Sequence, residues 1–317
     1  MQRLPSTVTP ATTESGLSLD VRRLVASSIS PNTRKAYEAA LAAWDTWLAG
    51  REAGDEMLAN YLSERHAAGV SPATIAQVVQ AIRFREKLHG VAVSVVGPIA
   101  DRTLAGIRRE GRGRGRGQVA AIRWADVQAI CRLTGTEASK APVVATRDCA
   151  LMRVMSDGLL RISEAVAVDC AHISAEMDGT GRLLIPSSKT DQTGQGAVVF
   201  LSKTTMDAVD AYRQLAGIES GPLFRRIRRG DHITEDRMSA HGARLAIQAR
   251  AAAAGIEGAS GHSLRVGTAQ DLTAAGYGLA ELQNAGRWQS PDMPGRYSRG
   301  QAAGLGAVAR LRESTGD

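Results

Sequence analysis

Four short stretches in the second half of this 317-residue chain carry side chains suited to phosphoryl chemistry. They are Leu159-Leu160-Arg161-Ile162-Ser163-Glu164, Lys189 within Ser187-Ser188-Lys189-Thr190-Asp191, Gly261-His262-Ser263-Leu264-Arg265, and Ala285-Gly286-Arg287-Trp288 with Tyr297 further on. Transfer of a phosphodiester to a protein nucleophile builds negative charge on the phosphoryl oxygens, and fixed cations stabilise that charge. Arginine suits the task because its planar guanidinium grips phosphate through two N–H groups and keeps its charge. Arg161 stands among Leu159, Leu160 and Ile162, where an unpaired cation is costly, so it needs an anion. Glu164, one turn on, can hold that cation when the site is empty, although an ordinary helix ion pair has the same spacing. His262 and Arg265 stand at i and i+3, which puts both on one face of a helix beginning at Gly261-His262, so a single phosphate can meet both. Tyr37, Tyr61 and Tyr212 lie in apolar helical patterns and read as core, and Tyr277 follows Gly276 in a turn. Tyr297 differs: proline-broken polar sequence precedes it and Ser298-Arg299-Gly300 follows, so its ring is not expected to anchor a core.

These side chains need a scaffold, and the pattern along the chain predicts a mostly α fold with one small antiparallel sheet. Ser30-Pro31 and Ser71-Pro72 read as helix N-caps with proline in the first turn. Tyr37, Leu41, Trp44 and Leu48 then repeat at helical spacing as far as Gly50; after the second start, Ile75, Val78, Val79 and Ile82 line one face and Gln77, Gln80, Arg83 and Lys87 the other. The Arg108 to Gly117 stretch has the glycine content of a flexible connection, and helical pattern resumes at Trp124. Short β-prone runs at 171–174, 182–185 and 197–201 are separated by Asp178-Gly179 and by the 189–196 turn. Helix is expected again from Thr204 onward, including 234–254 with Arg237, Arg244 and Gln248 exposed. The implied organisation is a disordered tail over 1–16, a helical domain over 17–110, a linker over 111–120 and a second, α-rich domain with the small sheet over 121–317.

Composition bounds the partners. Hydrophobic residues at 44% and charged residues at 22% are ordinary globular values and exclude a wholly disordered chain; aromatics at 4% favour close-packed helices over a large sandwich. Residues 1–16 lack an apolar run and no window is long and apolar enough to span a bilayer, so a cytoplasmic protein without a membrane partner is expected. Cys131, Cys149 and Cys170, odd in number and widely spaced, read as reduced buried thiols, not a disulfide framework or a zinc cluster. The net charge of +7 points to a polyanion. The positive charge is concentrated: six arginines lie between Arg102 and Arg116, and Arg225, Arg226, Arg228 and Arg229 form a second cluster.

In order and spacing, the four chemical stretches resemble the catalytic half of the tyrosine recombinases, the phage-integrase family. Gly261 to Tyr297 is especially similar to the Cre-type members, in which tryptophan stands where histidine is more common. Ser30-Pro31-Asn32-Thr33-Arg34-Lys35-Ala36-Tyr37 resembles the opening of the family's helical core-binding domain, so the resemblance covers nearly the whole chain after residue 16. It implies a site-specific recombinase that cleaves and rejoins DNA through a 3′-phosphotyrosine, with no ATP, metal or cofactor. In that reading Tyr297 is the nucleophile, Arg161 and Arg265 clamp the phosphate with Glu164 in support, His262 transfers the proton, and Lys189 on a hairpin protonates the leaving 5′-oxygen. Trp288 can donate an indole N–H to a phosphate oxygen but cannot shuttle a proton, which leaves the base role to His262.

The same resemblance implies double-stranded DNA bearing an inverted-repeat site as partner, a monomer when free and a homotetramer on two sites. Gln77, Gln80, Arg83, Lys87, Arg108, Arg112, Arg114, Arg116, Arg244 and Gln248 are the candidate DNA contacts, with the two domains closing as a C-shaped clamp. The segment after Tyr297, with Leu305, Val308 and Leu311 at three-residue spacing, is expected to dock into a neighbouring protomer. Two other readings use the same residues: a relaxing enzyme like the type IB topoisomerases, disfavoured by the short tail, and a silent DNA-binding regulator, disfavoured because each catalytic position carries a competent side chain.

Overall fold

The computed structural model describes residues 19–114, 117, 119–137, 141–186, 196–297, 312 and 315. It divides the chain into two compact units, Met1–Gly117 and Gln118–Asp317. The first unit carries α1 (Leu19–Ser27), α2 (Pro31–Leu48), α3 (Asp55–Ala67), α4 (Pro72–His89) and α5 (Pro98–Glu110). The two serine-proline signals work as read: Ser30 Oγ accepts from Thr33 N at 3.2 Å and Ser71 Oγ from Thr74 N at 3.3 Å. Proline costs nothing in the first turn, where its missing N–H would have no intrahelical acceptor. Asp55, at the start of α3, also holds the start of α5, accepting from the amides of Gly97, Ile99 and Ala100 at 3.1, 2.9 and 2.8 Å. Trp44, Leu58, Leu62, Ile75, Val79 and Ile82 fill the core between these helices. Truncating Trp44 there would cost about 3–5 kcal/mol. Helix α5 runs through Glu110 with Ile107 buried, so Arg108 sits on a helical turn and not in the flexible connection expected of it.

The second unit holds α6 (Trp124–Glu137), α7 (Pro142–Asp157), α8 (Ile162–Val166), a sheet of β1 (Ile173–Ala175), β2 (Gly181–Ile185) and β3 (Ala197–Leu201), then α9 (Lys203–Ala216), a hairpin of β4 (Arg225–Arg228) and β5 (His232–Arg237), and α10 (Ala240–Ala253), α11 (Ser263–Ala274) and α12 (Leu279–Gly286). The sheet is antiparallel in the order β1-β2-β3, with Leu183 opposite Ile173 on one side and Val199 on the other. Its core face is set by alternation: Gly181, Leu183 and Ile185 are buried while Arg182 and Leu184 are exposed. The first strand begins later than expected because Cys170–His172 forms a 3-10 turn.

A helix over 234–254 is not what forms. Residues 232–237 pair with β4, and the helix starts only at Ala240, after Ser239 caps it by accepting from Gly242 N at 3.0 Å. The hairpin wins because Ile227 and Ile233 pair across it, and because Asp231 at its turn accepts from Val143 N and Val144 N at 2.8 and 2.9 Å, closing the start of α7. The three cysteines carry free thiols, but only Cys170 is buried; Cys131 and Cys149 are half-buried, with Cys149 Sγ 3.9 Å from the Cys131 carbonyl. Among the described residues no helix is long and apolar enough to cross a membrane and no cluster of His, Cys, Asp and Glu is arranged to hold a metal ion.

Candidate active site

The site is assembled where the start of α8, the start of α11, the end of α12 and the helical residues 292–297 meet. Arg161 is the N-cap of α8. Its backbone N–H donates to Glu164 Oε2 at 2.9 Å and its Nη1 to Glu164 Oε1 at 2.7 Å, two donors on one carboxylate that tie the arginine to its own helix. The Glu164 side chain is 3% exposed and that of Arg161 is 20% exposed, so the carboxylate is sealed while the guanidinium keeps an open edge. Burial by itself would raise the Glu164 carboxyl; the amide and guanidinium of Arg161 together with the charge of Arg287 overcome it and hold the group below its usual range.

His262 caps α11, and its Nε2 lies 3.0 Å from the Tyr297 hydroxyl, with the two rings edge to face. Burial, then the charges of Arg265 and Arg161, pull the imidazole below its ordinary pKa and favour its neutral form; Glu164 opposes them. Burial pushes the Tyr297 phenol up, against Arg265, Arg296 and Arg161. A neutral imidazole facing an un-ionised phenol is the resting arrangement of a base and its nucleophile.

Arg265 is 0% exposed. Its Nη1 and Nη2 donate to the carbonyls of Leu159 and Gly286, its guanidinium lies 4.4 Å from the Trp288 ring centroid, and its Nε has no hydrogen-bond partner among the described residues. Burial, then the neighbouring Arg161 charge, lowers this guanidinium to about 9, with Glu164 opposing. Leu159 adopts a left-handed conformation, φ 44°, uncommon for a residue with a Cβ, and its carbonyl receives both Arg265 and Arg287. The pieces approach closely through glycine. A Cβ on Gly286 would fall 1.9 Å from the Trp288 ring, and one on Gly261 would fall 2.7 Å from Ile162 Cδ1.

Arg161, Glu164, His262, Arg265, Trp288 and Tyr297 are therefore brought together, from sequence positions 136 residues apart. Tyr297 corrects one expectation: it is 6% exposed and packs with Leu159, Val266, Ala269 and Trp288. The proline-broken stretch still forms helix at 292–297, because Pro294 falls in the first turn where no amide donor is needed. Trp288 is buried against Tyr297, ring centroids 5.9 Å apart, with Arg265 over its face. Lys189, Arg116 and the tail with Leu305, Val308 and Leu311 lie outside the described residues, as does the 1–16 segment.

The expected DNA contacts fall in both units. On α4, Gln80, Arg83 and Lys87 are exposed and Gln77 is half-buried, and Arg83 is held by both carboxylate oxygens of Asp101 at 2.7 and 2.8 Å. Arg108 and Arg112 are exposed, and Arg114 donates to the His66 carbonyl at 3.2 Å. In the second unit Arg244 lies beside His241 at 3.0 Å. Two residues expected to be exposed on a helix are engaged elsewhere. Gln248 is half-buried and donates to the Ala259 carbonyl at 3.0 Å; Arg237 ends a strand and binds Asp169 at 2.6 Å and the carbonyls of Val166 and Val168. Sequence reasoning passed over Arg287, which an arginine-rich chain disguises as one more surface cation. The available signal was its place directly after Gly286, at a helix end where glycine is the usual cap.

Residues 126–303 match the phage integrase family, and residues 23–85 match the N-terminal SAM-like domain of phage integrases. Among curated proteins, the recombinase Cre of Escherichia phage P1 is 27% identical over 188 residues, and the matched region spans 53% of this chain and about half the length, 53%, of that recombinase. The fold is similar to that of the XerH site-specific recombinase bound to palindromic difH substrate in a post-cleavage complex (TM-score 0.67, 16% identity, 89% of this chain and 78% of that one). It is also similar to the Tn1549 transposon integrase in complex with transposon right end DNA (0.61, 10%, 87% and 94%) and to a lambda integrase dimer bound to a core site (0.59, 16%, 88% and 75%).

Proposed function

Because the chain belongs to the phage integrase family, we propose that it is a site-specific DNA recombinase that cuts and rejoins strands through a 3′-phosphotyrosine on Tyr297. The observation that carries the proposal is the 3.0 Å contact between His262 Nε2 and the Tyr297 hydroxyl beside Arg161 and Arg265. In the reaction His262 takes the phenolic proton as Tyr297 Oη bonds to phosphorus. The P–O5′ bond breaks, Lys189 protonates the departing 5′-oxygen, and the sequence reverses when another strand's 5′-hydroxyl attacks the phosphotyrosine. The open edge of Arg161 meets the non-bridging oxygens. Arg265, fully buried, adds a charge whose effect is large in a dry site. The phosphotyrosine keeps the energy of the broken bond, so neither ATP nor a metal enters the scheme. The Cre, XerH and lambda relatives are named as recombinases or integrases, the latter two solved on DNA, in keeping with this reading.

The proposal extends to the complex: a helical DNA-binding domain over 17–110, a linker over 111–120 and a catalytic domain over 121–317. These domains engage an inverted-repeat site as a monomer, and four protomers pair two sites, acting at the nucleoid in the cytoplasm. Gln77, Gln80, Arg83, Lys87, Arg108, Arg112, Arg114, Arg116 and Arg244 supply DNA contacts; Gln248, tied to the Ala259 carbonyl, does not. Selection of bound sequences from random duplex DNA, followed by a nicked suicide substrate built on the selected site, tests this. A covalent protein–DNA adduct is expected with the parent and none with Tyr297→Phe, whose DNA affinity stays within a few-fold because one hydroxyl adds little to a phosphate-dominated interface. Absence of an adduct from the parent on its selected site would overturn the proposal.

A further inference from the structure

Three guanidinium groups crowd this site, and phosphate binding accounts for two. The third, Arg287, ends α12 with φ 53° and ψ 45°, a left-handed conformation that the chain gives to glycine at the equivalent caps of α4 and α9, Gly90 and Gly217. Ala49 shares this conformation at the end of α2, where a small side chain lessens the conflict; a long side chain with a Cβ pays strain there, and at Arg287 a gain elsewhere offsets it. The gain is visible in the side chain, which is 13% exposed and reaches back more than 120 residues in sequence: Nη1 donates to the Gly158 carbonyl at 2.9 Å, and Nη2 to Glu164 Oε2 at 2.9 Å and to the Leu159 carbonyl at 3.4 Å. Glu164 Oε2 thus holds Arg287 and the Arg161 amide together, and Oε1 holds the Arg161 guanidinium.

We infer that Arg287 is a positioning residue that acts through Glu164: it holds the sealed carboxylate in the one orientation that aims Arg161 at the phosphate. The inference rests on the recombinase reading above. The charged and titratable groups facing Glu164 are Arg161 at the start of its own helix, Arg287 from α12, and Arg265 and His262 from α11 and its cap. With Arg287 in place, two cations share one carboxylate, so Arg161 is not wholly neutralised and retains field for an incoming phosphate. Without it, Glu164 keeps Arg161 as its one hydrogen-bonded cation, with Arg265 acting only through space; it either binds Arg161 fully or takes up a proton, and in both cases Arg161 is lost to the reaction.

The test is single-turnover adduct formation on preassembled complexes of the full chain with its selected suicide substrate, measured against pH. Arg287→Gly relaxes the left-handed backbone while removing the guanidinium. It is expected to bind DNA within a few-fold of the parent, to form adduct roughly 10- to 100-fold more slowly, and to steepen the acid limb of the profile from a one-proton to a two-proton dependence as Glu164 begins to titrate with His262. Arg287→Lys returns the cation to Glu164 and should restore the one-proton limb. A glycine variant whose profile superimposes on the parent's, or a lysine variant that behaves like glycine, would overturn the inference. If the glycine variant does not fold, Arg287→Met against Arg287→Lys decides on the same profile. A parent that forms no adduct at all would instead remove the recombinase reading, which separates the two failures.

Discussion

Gly267 lies on α11 two residues beyond Arg265, and the helix approaches the 119–123 segment through it. An ideal Cβ there would stand 1.9 Å from the Ile122 carbonyl oxygen, 2.3 Å from the Ile122 carbonyl carbon and 2.7 Å from Arg123 N. All three are backbone atoms, so no side chain can swing aside. Restoring an ordinary carbon–oxygen contact of about 3.3 Å requires the helix and the segment to part by about 1.4 Å. They are stitched together on either side: Ile122 N donates to the Ser263 carbonyl at 3.0 Å, Trp124 N to Asp271 Oδ2 at 2.8 Å, and Arg123 pairs with Asp271 at 2.8 Å. Gly267→Ala should therefore cost about 1–3 kcal/mol as overpacking, lowering the melting temperature of this 200-residue unit by about 2–12 °C. Because α11 carries Arg265 and begins at His262, a shift of this size should also slow adduct formation by about 100-fold, while DNA affinity, carried by many phosphate contacts, changes little. Differential scanning fluorimetry and the suicide-substrate assay measure both effects. Gly135→Ala is the control: among the described residues nothing lies within 4 Å of a Cβ placed there, and in a helix it should be neutral or more stable by up to about 1 kcal/mol. If Gly267→Ala melts with the parent and forms adduct at the parent's rate, the close approach does not position the site.

For Lys189→Ala, a leaving strand with a bridging 5′-phosphorothiolate should restore cleavage, since sulfur departs without a proton; equal slowness on both substrates would remove Lys189 as the acid. Neutralising Arg112, Arg114 and Arg116 together should weaken specific and non-specific binding alike and lower the slope of log affinity against log salt by up to about 0.9 per lost phosphate contact, and an unchanged slope would make the stretch a tether only. His262 is held below its ordinary 6.5 by burial and by Arg265 and Arg161, so the folded protein binds its proton less readily than the unfolded chain does. The stability linked to it is then present above 6.5 and lost as the pH falls through that value and on to the folded pKa. Adduct formation, which needs the neutral base, should be flat at neutral pH with its acid midpoint below 6.5, and a midpoint at or above that value would count against His262 as the base.

The sequence by itself determined the elements whose signals are local. Ser30-Pro31 and Ser71-Pro72 start helices because a serine hydroxyl and a proline ring act within one turn, and the β-prone runs 182–185 and 197–201 form strands, although the tertiary structure decides which of their apolar residues face inward. It also marked Arg161, Glu164, His262, Arg265 and Tyr297, since an arginine among leucines and a histidine one turn before an arginine are local facts with a chemical meaning. Tertiary structure decided the rest. The 234–237 stretch has helix-compatible residues, yet ends a strand because Ile227 and Ile233 pair across the hairpin and because Asp231 at its turn is held by the amides of Val143 and Val144, 88 and 87 positions away. Tyr297 reads as polar and exposed, yet is buried because Trp288, just past the end of α12, and Val266 on α11 cover it. Arg287 shows the limit most sharply: among 39 basic residues only its place after Gly286 sets it apart, and its meaning arises when Glu164 and two carbonyls, more than 120 positions away, come within 3.4 Å of its guanidinium. Hydrogen bonds act over a few ångströms in space, and the order of residues records nearness only along the chain.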